Sequence, residues 1–271
     1  MCLIGFALDA HDDFVLVLAA NRDEYYARES TAASWWADGA AVWGGRDRVG
    51  GGSWLAIDRR GRLAAVTNVR EPAPAPAPGL RSRGELVADF VSGDAALEDY
   101  ATTVASRAGH YAGFNLLLFD PASPRPALYV SNRHPQRVLD IPAGVHGLSN
   151  HLLGTDWPKV RHLTRRLRAT LADPHAPLDT VLLGALADRS LPRDDELPDT
   201  GIGLPRERIL APAMIVAPDL GYGTRASTLV AIRRDGRIEA IERSWAPGLA
   251  APRVAGERRA RFTASRRIPV R

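Results

Sequence analysis

MCLIGFALDAHDDFVLVLAANRDEYYAR, residues 1–28, holds two short apolar runs separated by DAHDD. Runs of this length bounded by turn residues predict two strands, CLIGFAL and FVLVLAA, paired as an antiparallel hairpin. A hairpin returns the chain toward its own start, so Arg22 and Asp23, at the exit of the second run, are brought toward Cys2. That residue is the only cysteine in 271 positions. A lone cysteine forms no intramolecular disulfide, and the sequence has no CxxC or Cys/His cluster of the kind that holds structural zinc. Two roles remain open for it: a small apolar residue opening a buried strand, or a thiol used for its chemistry. An arginine beside a thiol favours the thiolate, and an acid can orient the arginine or an α-amine.

Further along, SWLAI and RLAAVTN predict two more strands, with the Arg-Gly of IDRRGRL as their hairpin turn. EPAPAPAPG (71–79) is an extended loop whose prolines donate no backbone hydrogen bonds. Ser82 followed by Glu85 forms a capping-box pattern, which predicts a helix starting near Arg83, and DAALEDYATTVASR predicts a second. The chain then returns to strands at FNLLLF, PALYVS and VHGLS. WPKVRHLTRRLRATLA predicts a long amphipathic helix with Pro158 in its first turn. After a helical and irregular stretch, AMIVA, STLVAIR and RIEAIER predict the closing strands. Strand blocks alternating with helix blocks, without internal repeats or a domain-sized linker, imply an α+β layered sandwich with one domain over 1–250.

A composition of 45% hydrophobic and 24% charged residues is ordinary for a globular chain. No apolar run is long enough to span a bilayer, and no basic region precedes the first apolar residues, so a cytoplasmic location and no membrane span are expected. The net charge of +4 is unevenly placed, because the stretch from Arg253 to Arg271 carries seven arginines against Glu257. Residues 251–271 are therefore expected to form a poorly ordered basic tail whose removal leaves the melting temperature unchanged, and no specific nucleic-acid partner is implied. WGGRDRVGGGSW (43–54) lacks the Gly-Lys-Ser/Thr of a phosphate loop and predicts a flexible hairpin approach. HExxH, Cys/His arrays and GxSxG are all missing, so neither a protein-held catalytic metal nor a serine-hydrolase elbow is expected.

Asn68 in AVTNVRE and Asn150 in HGLSNHL each end a strand-like run. Singly, each suits a turn. Together with Cys2 and Arg22 they suggest another use, since side-chain amides and strand-end N–H groups hold an oxyanion during acyl transfer. YGTRASTLV places Arg225 just before a strand.

In order, MCLIGF, ANRDEYYAR, WGGRDRVGGGSWLAID, GRLAAVTNVRE, SRGELVADF, GFNLLLFD, YVSN, HGLSN, WPK and YGTRASTLVAI resemble the NRDE family, named for its Asn-Arg-Asp-Glu stretch, whose eukaryotic members are called transport and Golgi organization protein 2. The resemblance runs from Cys2 to about Trp245. That family is similar in turn to N-terminal nucleophile hydrolases of the choloylglycine hydrolase and penicillin acylase type. The resemblance implies a four-layer αββα sandwich and a cysteine exposed as residue one, with its own α-amine as base. It further implies Cys2 as nucleophile, Arg22 and Asp23 beside it, Asn68 and Asn150 at the oxyanion, and Arg225 as a positioning charge. Those hydrolases place their acid a few residues beyond the arginine, whereas here Asp23 and Glu24 follow Arg22 directly, so either acid could serve. Two functions are expected to compete: a cofactor-free cysteine hydrolase of the amidase or acyl-transfer type acting on a small acyl-amide or acyl-thioester, and a non-catalytic carrier of haem or an acyl-CoA-like lipid.

Overall fold

In a computed structural model, which describes residues 3–38, 41–72 and 79–269, the chain opens with the hairpin β1 (Leu3–Leu8) and β2 (Phe14–Tyr25). β3 (Ser30–Trp35), β4 (Val42–Asp47), β5 (Leu55–Asp58) and β6 (Leu63–Asn68) follow as successive strands. After α1 (Gly84–Ser92) and α2 (Leu97–Ser106) come β7 (Phe114–Phe119), β8 (Ala127–Ser131), β9 (Val138–Asp140) and β10 (Gly144–Leu148). Three helices, α3 (Pro158–Ala172), α4 (Leu178–Leu186) and α5 (Leu204–Leu210), precede the two-residue β11 (Val216–Ala217). The chain closes with β12 (Tyr222–Arg233), β13 (Arg237–Trp245) and β14 (Val254–Thr263).

These strands make two antiparallel sheets. One has the order β10-β1-β2-β12-β13-β14, with β11 also pairing β12; the other runs β3-β4-β5-β6-β7-β8-β9. Alternate residues of each strand point to opposite faces, and here both faces are covered. Ile4, Phe6, Leu16 and Leu18 of the first sheet meet Leu55, Ile57, Leu63 and Tyr129 of the second in the central layer. On the first sheet's outer face, Leu3, Val17 and Ala19 pack under Leu163 and Leu167 of α3 and Leu182 and Leu186 of α4. On the second sheet's outer face, Val66, Leu116 and Leu118 pack under Val87 and Phe90 of α1 and Val104 of α2. The result is the four-layer αββα sandwich, and double-sided burial explains why the runs are continuously apolar and not alternating. Among the described residues no helix is long and apolar enough to cross a membrane.

Three local expectations are corrected. The capping box does not form: the Ser82 hydroxyl accepts from the Gly84 N–H at 3.3 Å, while the Glu85 carboxylate turns to Tyr111 and Arg81, so the helix starts without a side-chain cap. AMIVA contributes only Val216 and Ala217 to a ladder. Residues 254–263 are not a disordered tail. They pair with β13 from Arg237↔Thr263 to Trp245↔Val254, bury Ala260 and set Phe262 against the central layer. Two of the arginines that made this stretch resemble a solvated end lie on the strand's other face in ion pairs, Arg259 with Asp179 at 3.0 Å and Arg261 with Glu239 at 2.7 Å. The loop 71–79 lies mostly outside the described residues.

The glycine-rich stretch divides between strand β4 and a tight turn. Gly52 has φ +74°, and a Cβ there would stand 2.2 Å from the Gly84 carbonyl oxygen at the start of α1. Its neighbour Ser53 donates its N–H to that same oxygen at 3.0 Å. Gly52→Ala is expected to destabilise the protein by about 2 kcal/mol, from the left-handed backbone with a rigid clash added. Urea unfolding checks this, and an unchanged midpoint would show that the turn relaxes freely.

Candidate active site at the strand ends

Register places the candidate residues at one end of the sandwich. Leu3 stands opposite Asn21, Ile4 opposite Leu148, and Ser227 opposite Asn21. The ends of β10, β1, β2 and β12 therefore lie side by side, carrying Asn150 just past β10, Arg22 and Asp23 on β2, and Arg225 on β12. Cys2 lies outside the described residues. Asn68, at the end of β6, reaches this edge from the opposite sheet: the Asn150 side-chain amide donates to the Asn68 carbonyl at 3.1 Å, and the Arg70 N–H donates to the Asn150 carbonyl at 2.7 Å. Deeper in, the Thr67 hydroxyl donates to the Ser149 carbonyl at 2.9 Å and itself accepts from the Asn115 amide at 3.0 Å. The two sheets are thus clipped together at this end.

Adjacency in sequence does not put Arg22 and Asp23 on one side. Arg22 shares the interior face with Leu18 and Ala20 and is 3% exposed. Its guanidinium lies 4.3 Å from the centre of the Trp54 ring, 3.4 Å from the Ser30 hydroxyl and 3.9 Å from Glu24. Trp54 can approach because Gly45 has no side chain; a Cβ there would fall 2.1 Å from the indole. Burial pulls the Arg22 pKa below the ordinary arginine value, with Glu24 and Asp47 opposing and Arg225 and Arg28 reinforcing. Asp23 faces the helix layer, where its carboxylate accepts from the Thr224 hydroxyl at 2.6 Å, and that hydroxyl accepts from the Ile215 N–H at 2.9 Å. Of the two acids, Glu24 shares Arg22's face, and Asp23 sits on the other.

Asn21, on Asp23's face, is a structural clamp. Its amide donates to the carbonyls of Leu186 at 2.8 Å and Ala213 at 2.7 Å, and its oxygen accepts from the Ser227 hydroxyl at 2.6 Å. Arg225 lies in a register shift between Thr224 and Ala226 and donates to the carbonyls of Tyr26 at 3.0 Å and Tyr25 at 3.2 Å. It therefore holds the turn at the exit of β2, so its visible work is on the backbone. A cavity of about 200 Å³ opens over the strand ends, lined by Asn68, Arg70, Asn150, Ile215 and Tyr222 among others. Arg70 is fixed beside it by Glu207 at 2.6 Å and by the Trp157 ring at 4.8 Å.

Sequence reasoning did not single out Trp54, Thr224 or Glu242. Glu242 is 2% exposed, and burial pushes its carboxyl up to about 7. A signal for it existed in RIEAIER, where Ile238, Ala240 and Glu242 share one face of a strand. No group of three His, Cys, Asp or Glu side chains arranged to hold a metal is found among the described residues.

Residues 1–247 match the family model described as Transport and Golgi organisation 2. The chain is 34% identical over 262 residues to the Transport and Golgi organization protein 2 homolog of Bos taurus, covering 90% of this chain and 93% of that one. It is 33% identical over 258 residues to the Homo sapiens homolog, with the same coverage. Among solved structures, it is similar to the Caenorhabditis elegans N-acylethanolamine-hydrolyzing acid amidase ortholog with a TM-score of 0.52 and 8% identity, covering 84% of this chain and 92% of the other. That likeness is one of fold, an N-terminal nucleophile hydrolase sandwich. By its sequence matches over nearly the whole length, the chain belongs to the Transport and Golgi organisation 2 family.

Proposed function

We propose that this protein is a cysteine N-terminal nucleophile hydrolase acting on a small acyl-amide or acyl-thioester, with Cys2 as nucleophile once Met1 is removed. The observation that carries this reading is the convergence of Arg22, Asp23, Asn68 and Asn150 on the strand ends beside Leu3, the first described residue. Leu3, which follows Cys2 in the sequence, pairs with Asn21, which precedes Arg22. The Cys2 thiol passes its proton to the Cys2 α-amine, whose ordinary pKa of about 7.7 to 8.0 lies close to that of a thiol near 8.5. The thiolate attacks the substrate carbonyl carbon, and the side-chain amides of Asn68 and Asn150 donate to the oxyanion that forms. Collapse breaks the bond to the leaving amine or thiol, which takes the proton from the α-ammonium. Water, deprotonated by the same amine, then hydrolyses the thioester and releases the acid.

The cavity favours this reading over the haem or acyl-CoA carrier. At about 200 Å³ it is smaller than the roughly 300–1,000 Å³ that encloses a drug-sized ligand, and amides and an arginine line it. At pH 7 iodoacetamide should alkylate Cys2 faster than a model thiol, and Arg22→Ala should slow it, because a neighbouring cation enlarges the thiolate fraction. Equal rates in the two chains would remove Arg22 from the mechanism. Micromolar haem binding without turnover on a panel of acyl-amides and acyl-thioesters would favour the carrier.

A further inference from the structure

The chemistry above leaves unused a carboxyl group sealed between the sheets. Ile238, Ala240 and Glu242 share one face of β13, and the first two lie in the central apolar layer, so strand periodicity carries the Glu242 carboxyl inside. Its surroundings are built to receive it. β3 departs from regular register between Thr31 and Ser34, and within that irregularity the Ala33 N–H crosses from the opposite sheet to donate to Glu242 Oε1 at 2.6 Å. Thr228, opposite Glu242 on β12, supplies a side-chain hydrogen bond and itself stands opposite Ala20 of β2, so Arg22, the next interior-facing residue of β2, lies two strands across from Glu242 on the same face and is the cation whose field reaches it. Arg258 of β14 stands opposite in register but is exposed at the sheet edge. Around Arg22 itself stand Glu24, Asp47, Arg225 and Arg28, with the Trp54 ring against its face.

We propose that Glu242 is a positioning residue for Arg22: by holding or releasing a proton inside the sandwich, it sets how strongly the Arg22 cation acts at the strand ends. The proposal rests on the Cys2 reading for its catalytic meaning, though not for its physical test. Burial opposes a charged Glu242 more than the Ala33 and Thr228 hydrogen bonds and the field of Arg22 favour it, so the carboxyl changes charge near neutrality. Below that point Glu242 is neutral and the field of Arg22 is unopposed from the interior, which favours a thiolate. Above it the buried carboxylate offsets part of the guanidinium charge.

The test is a carboxyl titration of the full chain by infrared or ¹³C spectroscopy, with Glu242→Gln identifying the signal. The Glu242 group is expected to be neutral at about pH 6 and ionised at about pH 8, and Arg22→Gln should raise its midpoint by roughly half a unit to one unit, since an opposite charge is lost. In parallel, Glu242→Gln should speed alkylation of Cys2 about threefold or more at pH 8 and change it little at pH 6. A carboxyl already ionised at pH 5, a midpoint indifferent to Arg22, or a fast thiol indifferent to Glu242→Gln would overturn the proposal. A midpoint that responds to Arg22, beside a thiol that stays slow in every chain, would confirm the coupling and overturn the Cys2 reading instead.

Discussion

Asn68→Ala is expected to lower kcat on a cleaved acyl-amide by roughly 10² to 10³, or about 2.7 to 4 kcal/mol, while leaving substrate affinity and melting temperature nearly unchanged. The two asparagines are not equivalent. Asn150 is 6% exposed and spends an amide hydrogen on the Asn68 carbonyl, so its loss also loosens the clip between the sheets. Asn68 lines the cavity at the end of β6 and supplies that clip through its backbone, which alanine retains. A donor that meets an oxygen only when it becomes an oxyanion contributes to the transition state and not to the ground state. Asn68→Ala therefore isolates catalysis from architecture. Steady-state kinetics with parallel affinity measurements check it; a carrier would show the opposite pattern, with affinity changing and no turnover to lose.

Truncation after Ala251 is expected to cost roughly 4 kcal/mol and to lower the melting temperature by about 10 °C. The deletion removes the edge strand β14, the half-buried Phe262 packed on Trp35, and Ile268, which is only 4% exposed. Large apolar side chains contribute about 1.5 to 3 kcal/mol each when buried, and the deletion also opens the flank of β13 to water. Calorimetry of the truncated chain decides the matter. A melting temperature equal to that of the full chain would return residues 252–271 to the dispensable tail that their composition suggests.

The contrast between β14 and β1–β2 shows what the sequence made legible. Strands covered on both faces, such as LIGFAL and FVLVLAA, betray themselves as continuous apolar runs between turn residues, and with the helices they imply the layered α+β architecture. β14 has one face on the core and the other in ion pairs, so it contributes only Ala260 and Phe262 to an apolar pattern that Arg258, Arg259 and Arg261 obscure. β4 was hidden differently, because the glycines of its WGGRD stretch, one of which, Gly45, lets Trp54 pack on it, resemble a loop. In the candidate site, the gathering of Asn68, Asn150, Arg22 and Asp23 at one edge followed from strand ends and family resemblance. Both Arg22 and Asp23 are expected beside Cys2, and their division between opposite faces was missed, although period-two alternation, which would also have placed Glu242 inside, dictates it. For Arg225 the resemblance implies a positioning charge, whereas its grip on the Tyr25 and Tyr26 carbonyls depends on a register irregularity that composition does not announce.

The central claim, that Cys2 is an N-terminal nucleophile, is tested most directly by intact-mass spectrometry of the purified full chain before and after brief exposure to an activated acyl ester. The account predicts a chain that begins at Cys2 and acquires one acyl group on that residue, lost again on standing as water completes the turnover. A chain that retains Met1 ahead of Cys2, or one that begins at Cys2 yet takes up no acyl group there, would contradict it.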